Sequence, residues 1–209
     1  MRISRPTLLD TLAHSAVIRA LDAQSGLSCT ALDATAGNGH DLCFLAAALR
    51  ERALPDSTCT VLGCDVQESA LAASRARLEA EGLSDAAELV LCGHEDAAAL
   101  LPALPLAAVM FNLGYLPGGD KTLATAAAST LAALRALCAR LTDNGVITLH
   151  CYTGHTSGQE EAEAVLNFAH GLPPRHWRVL HCADHNRDER GEALIILEKL
   201  PERHSRCAQ

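Results

Sequence analysis

Aromatic residues are scarce in this chain: three Phe, two Tyr and one Trp make up 3% of 209 residues. A core built almost without them must come from Leu, Val, Ile and Ala, and it can, because 49% of the residues are apolar. Long apolar runs are also missing, which excludes a membrane-spanning helix. The opening MRISRPTLLDTLAHS carries Asp and His where a secretory leader needs an apolar centre, so a cytoplasmic protein is expected. Paired cysteines are absent too. Nine are present, an odd number with no CxxC spacing, which argues against a disulfide framework or a zinc site. Most stand inside apolar runs (Cys59, Cys92, Cys138, Cys151), where a reduced thiol acts as a small hydrophobe. Positive charge is in short supply: 17 Lys and Arg face 25 Asp and Glu, and the net charge of −8 opposes broad binding to phosphate backbones.

What is present is an alternation. Strand-like runs at 29–35, 58–65, 87–93, 106–113 and 144–152 are separated by helical patterns at about 40–52, 68–82, 121–141 and 158–171. Strands buried on both faces and alternating with helices predict a doubly wound parallel α/β sheet. The end of the chain breaks the pattern. The runs 176-HWRVLHCAD-184 and 192-EALIILEK-199 have only a polar loop between them, too little for a crossover helix, so they should pair antiparallel. A mostly parallel seven-stranded sheet closed by a C-terminal antiparallel hairpin is the layout of the class I methyltransferases, a Rossmann-like fold. The length fits a single domain over 1–209, with an N-terminal helix at about 6–24 and a short polar tail at 200–209. The N-terminal helix is expected to cover a cofactor or to form a partner surface, such as a homodimer contact.

The stretch 33-DATAGNGHD-41 follows the first strand. In an open α/β sheet, ligands bind beyond the carboxyl ends of the strands. Gly37, Asn38 and Gly39 let backbone approach a ligand there, and a helix starting near His40 turns its free amides to the same place. The third glycine of a dinucleotide fingerprint is missing, because Leu42 occupies its position. Asp33 and Asp41 flank the turn, and two carboxylates would repel a pyrophosphate. They would attract a sulfonium and an α-ammonium group, which points to S-adenosylmethionine. Asp65 ends the second strand, where a carboxylate can accept ribose hydroxyls; it could instead cap the next helix. His94 stands at the end of the third strand, a position suited to contacting adenine.

The fourth strand runs into 111-FNLGYLPGGDK-121, where a methyl acceptor would meet the sulfonium. Asn112 and the nearby carbonyls can accept an amine's N–H, and Tyr115 offers a ring face or a hydroxyl. Asp120 caps the helix that follows. After the fifth strand, His155 in 154-GHTSGQEE-161 is a candidate base, since imidazole titrates near neutrality. A desolvated pocket that lowers the amine's own pKa would serve equally. Glu160 and Glu161 are expected on the first turn of a helix, on a solvated face away from the site.

Together 33-DATAGNGHD-41, 111-FNLGYLPGGDK-121 and 152-YTGHTSGQEE-161 resemble the rRNA methylase family, over about Ala13 to Lys199. That family includes a methyltransferase of the tRNA wobble uridine. The resemblance implies S-adenosylmethionine as methyl donor and the aminomethyl group of a wobble 2-thiouridine as acceptor. It implies cofactor contacts from Asn38, Asp41, Asp65, Gln67, Gly93 and His94. The substrate side is implied for Asn112, Gly114 and Tyr115, with Tyr152, Gly154 and His155 opposite. Two departures stand out. In 185-HNRDERGEA-193 Asn186 matches the family, but Arg187, Asp188 and Glu189 replace apolar and proline residues, and Leu42 replaces the usual Thr after Asp41.

A basic group around the final hairpin offsets the net charge: Arg175, His176 and Arg178 before it, Arg187 and Arg190 in its turn, and Lys199, Arg203, His204 and Arg206 after it. Arg175 and Arg178 are therefore expected to bind phosphates of the tRNA anticodon arm. Three rival readings remain open at this point. The acceptor could be a small-molecule amine or another RNA, the chain could be a non-catalytic partner-binding module, or it could be a nucleotide-dependent oxidoreductase.

Overall fold

The computed structural model describes residues 7–114, 125–154, 156–186 and 191–202. The elements run α1 (Leu8–Ala23), β1 (Cys29–Asp33), α2 (His40–Arg52), β2 (Cys59–Asp65), α3 (Glu68–Ala80), β3 (Glu88–Leu91) and α4 (His94–Leu100). They continue with β4 (Leu106–Leu113), α5 (Ala127–Arg140), β5 (Leu141–Tyr152), α6 (Thr156–His170), β6 (Trp177–Ala183) and β7 (Glu192–Lys199).

The strands form one sheet in the order β3-β2-β1-β4-β5-β7-β6. β1 to β5 are parallel, and β7 runs antiparallel between β5 and β6. Successive side chains of a strand leave opposite faces, so each strand supplies two cores. Leu32, Val109, Phe111, Ile147, Leu149 and Ile195 pack under α4, α5 and α6. Ala31, Val61, Ala108, Met110, Val146, Leu194 and Ile196 pack under α1, α2 and α3. Fully buried Leu residues and alanines do the filling that aromatics do elsewhere; Phe111 is the one aromatic among the largest fully buried side chains.

β4 occupies the span read from sequence, because its apolar run is continuous. α4 is an addition: seven residues in a stretch read as strand end and loop. α5 begins at Ala127, and Asp120, expected to cap this helix, lies outside the described residues. α1 opens with a capping box, in which the Thr7 hydroxyl accepts from the Asp10 amide and the Asp10 carboxylate accepts from the Thr7 amide. The eight described cysteines are free. Burial pushes Cys43 up to about 11 and Cys29 up to about 12, which keeps both thiols protonated and unreactive. No helix of the described residues is long and apolar enough to cross a membrane.

Candidate functional site

The carboxyl ends of β1, β2, β4 and β5 face one rim of the sheet, and the candidate residues gather there. Asp33 closes β1 fully buried. Its Oδ1 accepts the Thr35 amide at 3.2 Å, and its Oδ2 has no hydrogen-bond partner. Burial first, then the nearby Asp41 and Asp65 carboxylates, raise its pKa well above the ordinary aspartate value, against the opposing pull of the Thr35 and Leu42 amides. A buried carboxyl oxygen without a partner, beside two further carboxylates, is suited to a cationic group brought in from outside.

Gly37 and Gly39 adopt left-handed backbone, with φ of 51° and 77°. Gly39 has a second constraint. A Cβ there would lie 2.8 Å from the Ser74 Cα, so its missing side chain serves the close approach of α3 as well as any ligand. Ser74 itself is buried and donates to the Gly37 carbonyl. Gly39→Ala should therefore destabilise by about 3 kcal/mol, adding left-handed strain to the clash. The melting temperature should fall by roughly 10 °C, and an unchanged melting curve would refute the packing argument.

Asp65 is tied into the turn. Its two carboxylate oxygens accept the Gly37 amide at 3.0 Å and the Gln67 amide at 2.9 Å. It does not cap α3, whose N-cap is Gln67 without a side-chain bond. Asn38 is exposed, and its carbonyl accepts from Arg77 Nε. Gly93 is the N-cap of α4, and His94, its first residue, is buried rather than displayed on a loop. The ring packs edge-on against Phe111 and lies 3.3 Å from the Thr130 hydroxyl. Burial lowers the His94 pKa against the opposing pull of Glu95, Glu161 and Asp65, which favours the neutral imidazole.

Asp41 joins the glycine turn to the acceptor side. Its Oδ2 accepts from Asn112 Nδ2 at 2.7 Å, and its Oδ1 lies 2.8 Å from His14 Nε2 on α1. Burial alone would raise the Asp41 pKa; the hydrogen bonds from His14 and Asn112 outweigh it and lower the pKa below the usual value. With Nδ2 committed to Asp41, the Asn112 carbonyl oxygen is left as the acceptor. The Asn112 amide donates to Thr35 Oγ1 at 2.7 Å, which fixes the backbone as well. Gly114 follows β4 at φ 150°, and a Cβ there would touch the Tyr152 side chain at 3.4 Å. Tyr152 stacks on His150 with ring centroids 4.7 Å apart. Burial, then Glu192, Asp10 and Asp41, raise the pKa of its phenol. Gly154 is exposed with open space around it. Tyr115 and His155 lie outside the described residues, as do Arg187 and Arg190.

Three groups were not anticipated. His14 and Asp10 bring α1 onto the site; Asp10 Oδ1 lies 3.2 Å from His150 Nδ1. His150 is buried and also contacts Glu192 across the sheet, 3.1 Å from Nε2. Glu161, expected on a solvated face, is 1% exposed and accepts from Thr125 and Thr130, each at 2.5 Å. The hint in the sequence was that α1 carries His and Asp one turn apart, at positions 10 and 14.

Arg175 and Arg178 are not brought to this rim. Trp177 pairs with Lys199, and Arg178 and Val146 both pair with Glu198, so the start of β6 lies level with the first half of β5, away from the carboxyl ends of the parallel strands. Arg178 is also engaged, donating to Glu198 at 2.8 Å, and Arg19 of α1 pairs with the same carboxylate. The antiparallel register of β7 thus sets these two arginines, expected to bind anticodon-arm phosphates, apart from the rim that holds the glycine turn.

Residues 61–198 match the model of the family described as "Putative rRNA methylase". A chloroplastic protein of Arabidopsis thaliana, named tRNA (mnm(5)s(2)U34)-methyltransferase, is 37% identical over 160 residues. That match covers 71% of this chain and 55% of the relative, so the chain spans about half that relative's length. A Clostridium thermocellum protein described as an rRNA-methylase superposes with a TM-score of 0.82 at 31% identity, covering 94% of this chain and 100% of that one. A Streptococcus mutans methyltransferase, solved in complex with SAH, gives 0.77 at 32% identity, covering 95% of this chain and 100% of that one. The chain belongs to the rRNA methylase family and has the class I methyltransferase fold.

Proposed function

We propose that the chain transfers a methyl group from S-adenosylmethionine to an amine nitrogen, and that the amine is the aminomethyl group of a tRNA wobble 2-thiouridine. The observation that carries the amine reading is the bond between Asp41 and Asn112, which leaves the Asn112 carbonyl to accept the acceptor's N–H beside the glycine turn. The residues present fit the cofactor. The partnerless Asp33 Oδ2 suits its ammonium group, and Asp65 at the end of β2 suits ribose hydroxyls. Asn38, Gln67, Gly93 and His94 complete the proposed cradle. When bound, S-adenosylmethionine supplies an electrophilic methyl group on a sulfonium. The protein's own task is to hold the amine in line with it and free of its extra proton. Asn112, Gly114 and Tyr152 orient the amine in this reading, and Tyr115 and Gly154 are assigned to the same task. His155, or desolvation of the amine, removes the proton.

The tRNA assignment is supported by the name of the Arabidopsis relative, and the cofactor assignment by the SAH complex of the Streptococcus mutans protein. Arg175 and Arg178, on the far rim, could meet only phosphates distant from the wobble base. A small-molecule amine is the second reading, favoured by that placement and by the net charge of −8. Single-turnover transfer of labelled methyl separates them. Label on tRNA bearing 5-aminomethyl-2-thiouridine, and none on the same tRNA lacking the aminomethyl group, is the expected result. Label on neither, with cofactor binding intact, would move the acceptor to small amines.

A further inference from the structure

Glu161 is buried at 1% exposure on α6 and forms no ion pair with a Lys or Arg among the described residues. Its carboxylate accepts two hydroxyl protons instead. Thr125 donates to Oε2 and Thr130 to Oε1, each at 2.5 Å. Each threonine passes the constraint to a different side of the candidate site. Thr125 Oγ1 accepts the Gly114 amide at 2.8 Å, and the Thr125 amide donates to the Gly114 carbonyl at 2.9 Å. Gly114 is the point where β4 gives way to the acceptor loop, so Glu161 pins that junction. Thr130 Oγ1 lies 3.3 Å from His94 Nε2. A threonine hydroxyl has one proton, and here it goes to Glu161, so the oxygen can only accept from His94. A neutral imidazole that donates through Nε2 presents Nδ1 as an acceptor.

We propose that Glu161 is a positioning residue that sets both halves of the site, fixing His94 in the Nε2–H tautomer through Thr130 and fixing Gly114 through Thr125. The inference rests on the methyltransferase reading in one respect: the Nδ1 acceptor at the end of β3 would take an exocyclic amine such as that of adenine. An amine donates to this lone pair, whereas the carbonyl of a hypoxanthine ring would face it with a second lone pair. The selection is thus made by a carboxylate that touches neither cofactor nor substrate.

The tautomer of His94 can be read without any activity, by long-range proton–nitrogen NMR correlation of the ¹⁵N-labelled, ligand-free protein. The Nε2–H form is expected in the wild type and in Thr130→Ser, which keeps the hydroxyl. The Nδ1–H form in the wild type would overturn the proposal. In Glu161→Gln the amide must donate to one of the two threonines, reversing that arm. His94 should then shift towards Nδ1–H, or the Gly114 amide should exchange faster with solvent. Neither change in a folded Glu161→Gln protein would also overturn it. Should Glu161→Gln not fold, the wild-type and Thr130→Ser spectra decide. Titration calorimetry with SAH and with its inosine counterpart adds an independent readout. The wild type should prefer SAH about tenfold, and Thr130→Val should lose most of that preference. Absence of SAH binding with the Nε2–H tautomer intact would count against the methyltransferase reading and leave the network standing.

Discussion

Replacing Asp33 with Asn is expected to stabilise the ligand-free protein and to remove most of its affinity for S-adenosylmethionine. The two effects have one origin. Asp33 is fully buried, one of its oxygens has no partner, and burial together with Asp41 and Asp65 raises its pKa. A carboxyl whose folded pKa lies above its unfolded value, about 3.9, binds its proton more tightly in the native state. Stability from this group is therefore full below the unfolded pKa and is lost as pH rises through the folded one. Asn carries no charge to lose, and its N–H would face two carboxylates instead of repelling them. The variant should gain about 1 kcal/mol at neutral pH by chemical denaturation, and the gain should disappear towards pH 4. Loss of the charged partner for an ammonium group should weaken binding about a hundredfold in calorimetry. Binding to the wild type should also release a proton, seen as a heat that varies with the buffer's ionisation enthalpy. The Asn variant should show no such dependence. Equal affinities would rule out Asp33 as the ammonium partner.

The second large effect is expected at Asn112. Asn112→Ala should lower kcat about a hundredfold while leaving SAH affinity within about threefold. The side chain is held by Asp41, and Asp41 by His14, so the acceptor oxygen is oriented before substrate arrives. Truncation removes that oxygen and one hydrogen bond to Asp41, which keeps His14, and leaves the contacts between Asp65 and the Gly37 amide in place. A fall in cofactor affinity equal to the fall in kcat would place Asn112 on the cofactor side instead. His14→Ala offers a milder version, because Asp41 and Asn112 stay paired but lose the tether to α1.

Much of this was legible in the sequence, for a physical reason. Asp33, Asp41, Asp65 and Asn112 stand at or just after strand ends, and in a parallel sheet those ends share one rim. β4 was legible because a strand buried on both faces is apolar throughout. The seven residues of α4 were not, since Cys92-Gly93-His94 reads equally well as a strand end. Glu161 was hidden because its partners lie 31 and 36 residues away, and a glutamate beside another near the start of a helix looks solvated. The distance of Arg175 and Arg178 from this rim was not legible for a different reason. The sequence showed that the last two strands pair with each other, but not that β7 would insert against β5, and only that register decides which rim the start of β6 reaches.

The position of β7 also shapes how the chain is made. β6 leaves the ribosome first, yet it belongs outside β7, so when it emerges the strand it must pair with does not exist. Until translation reaches residue 199, the edge of β5 from Val146 to Tyr152 exposes a row of unpaired amides beside some of the most apolar residues of the protein. The strand that fills the gap, with Leu194, Ile195 and Leu197 fully buried, is the last of the seven to be synthesised. Sheet closure is consequently a late step, and the nascent chain passes through a stage with a sticky open edge that needs shielding from other chains.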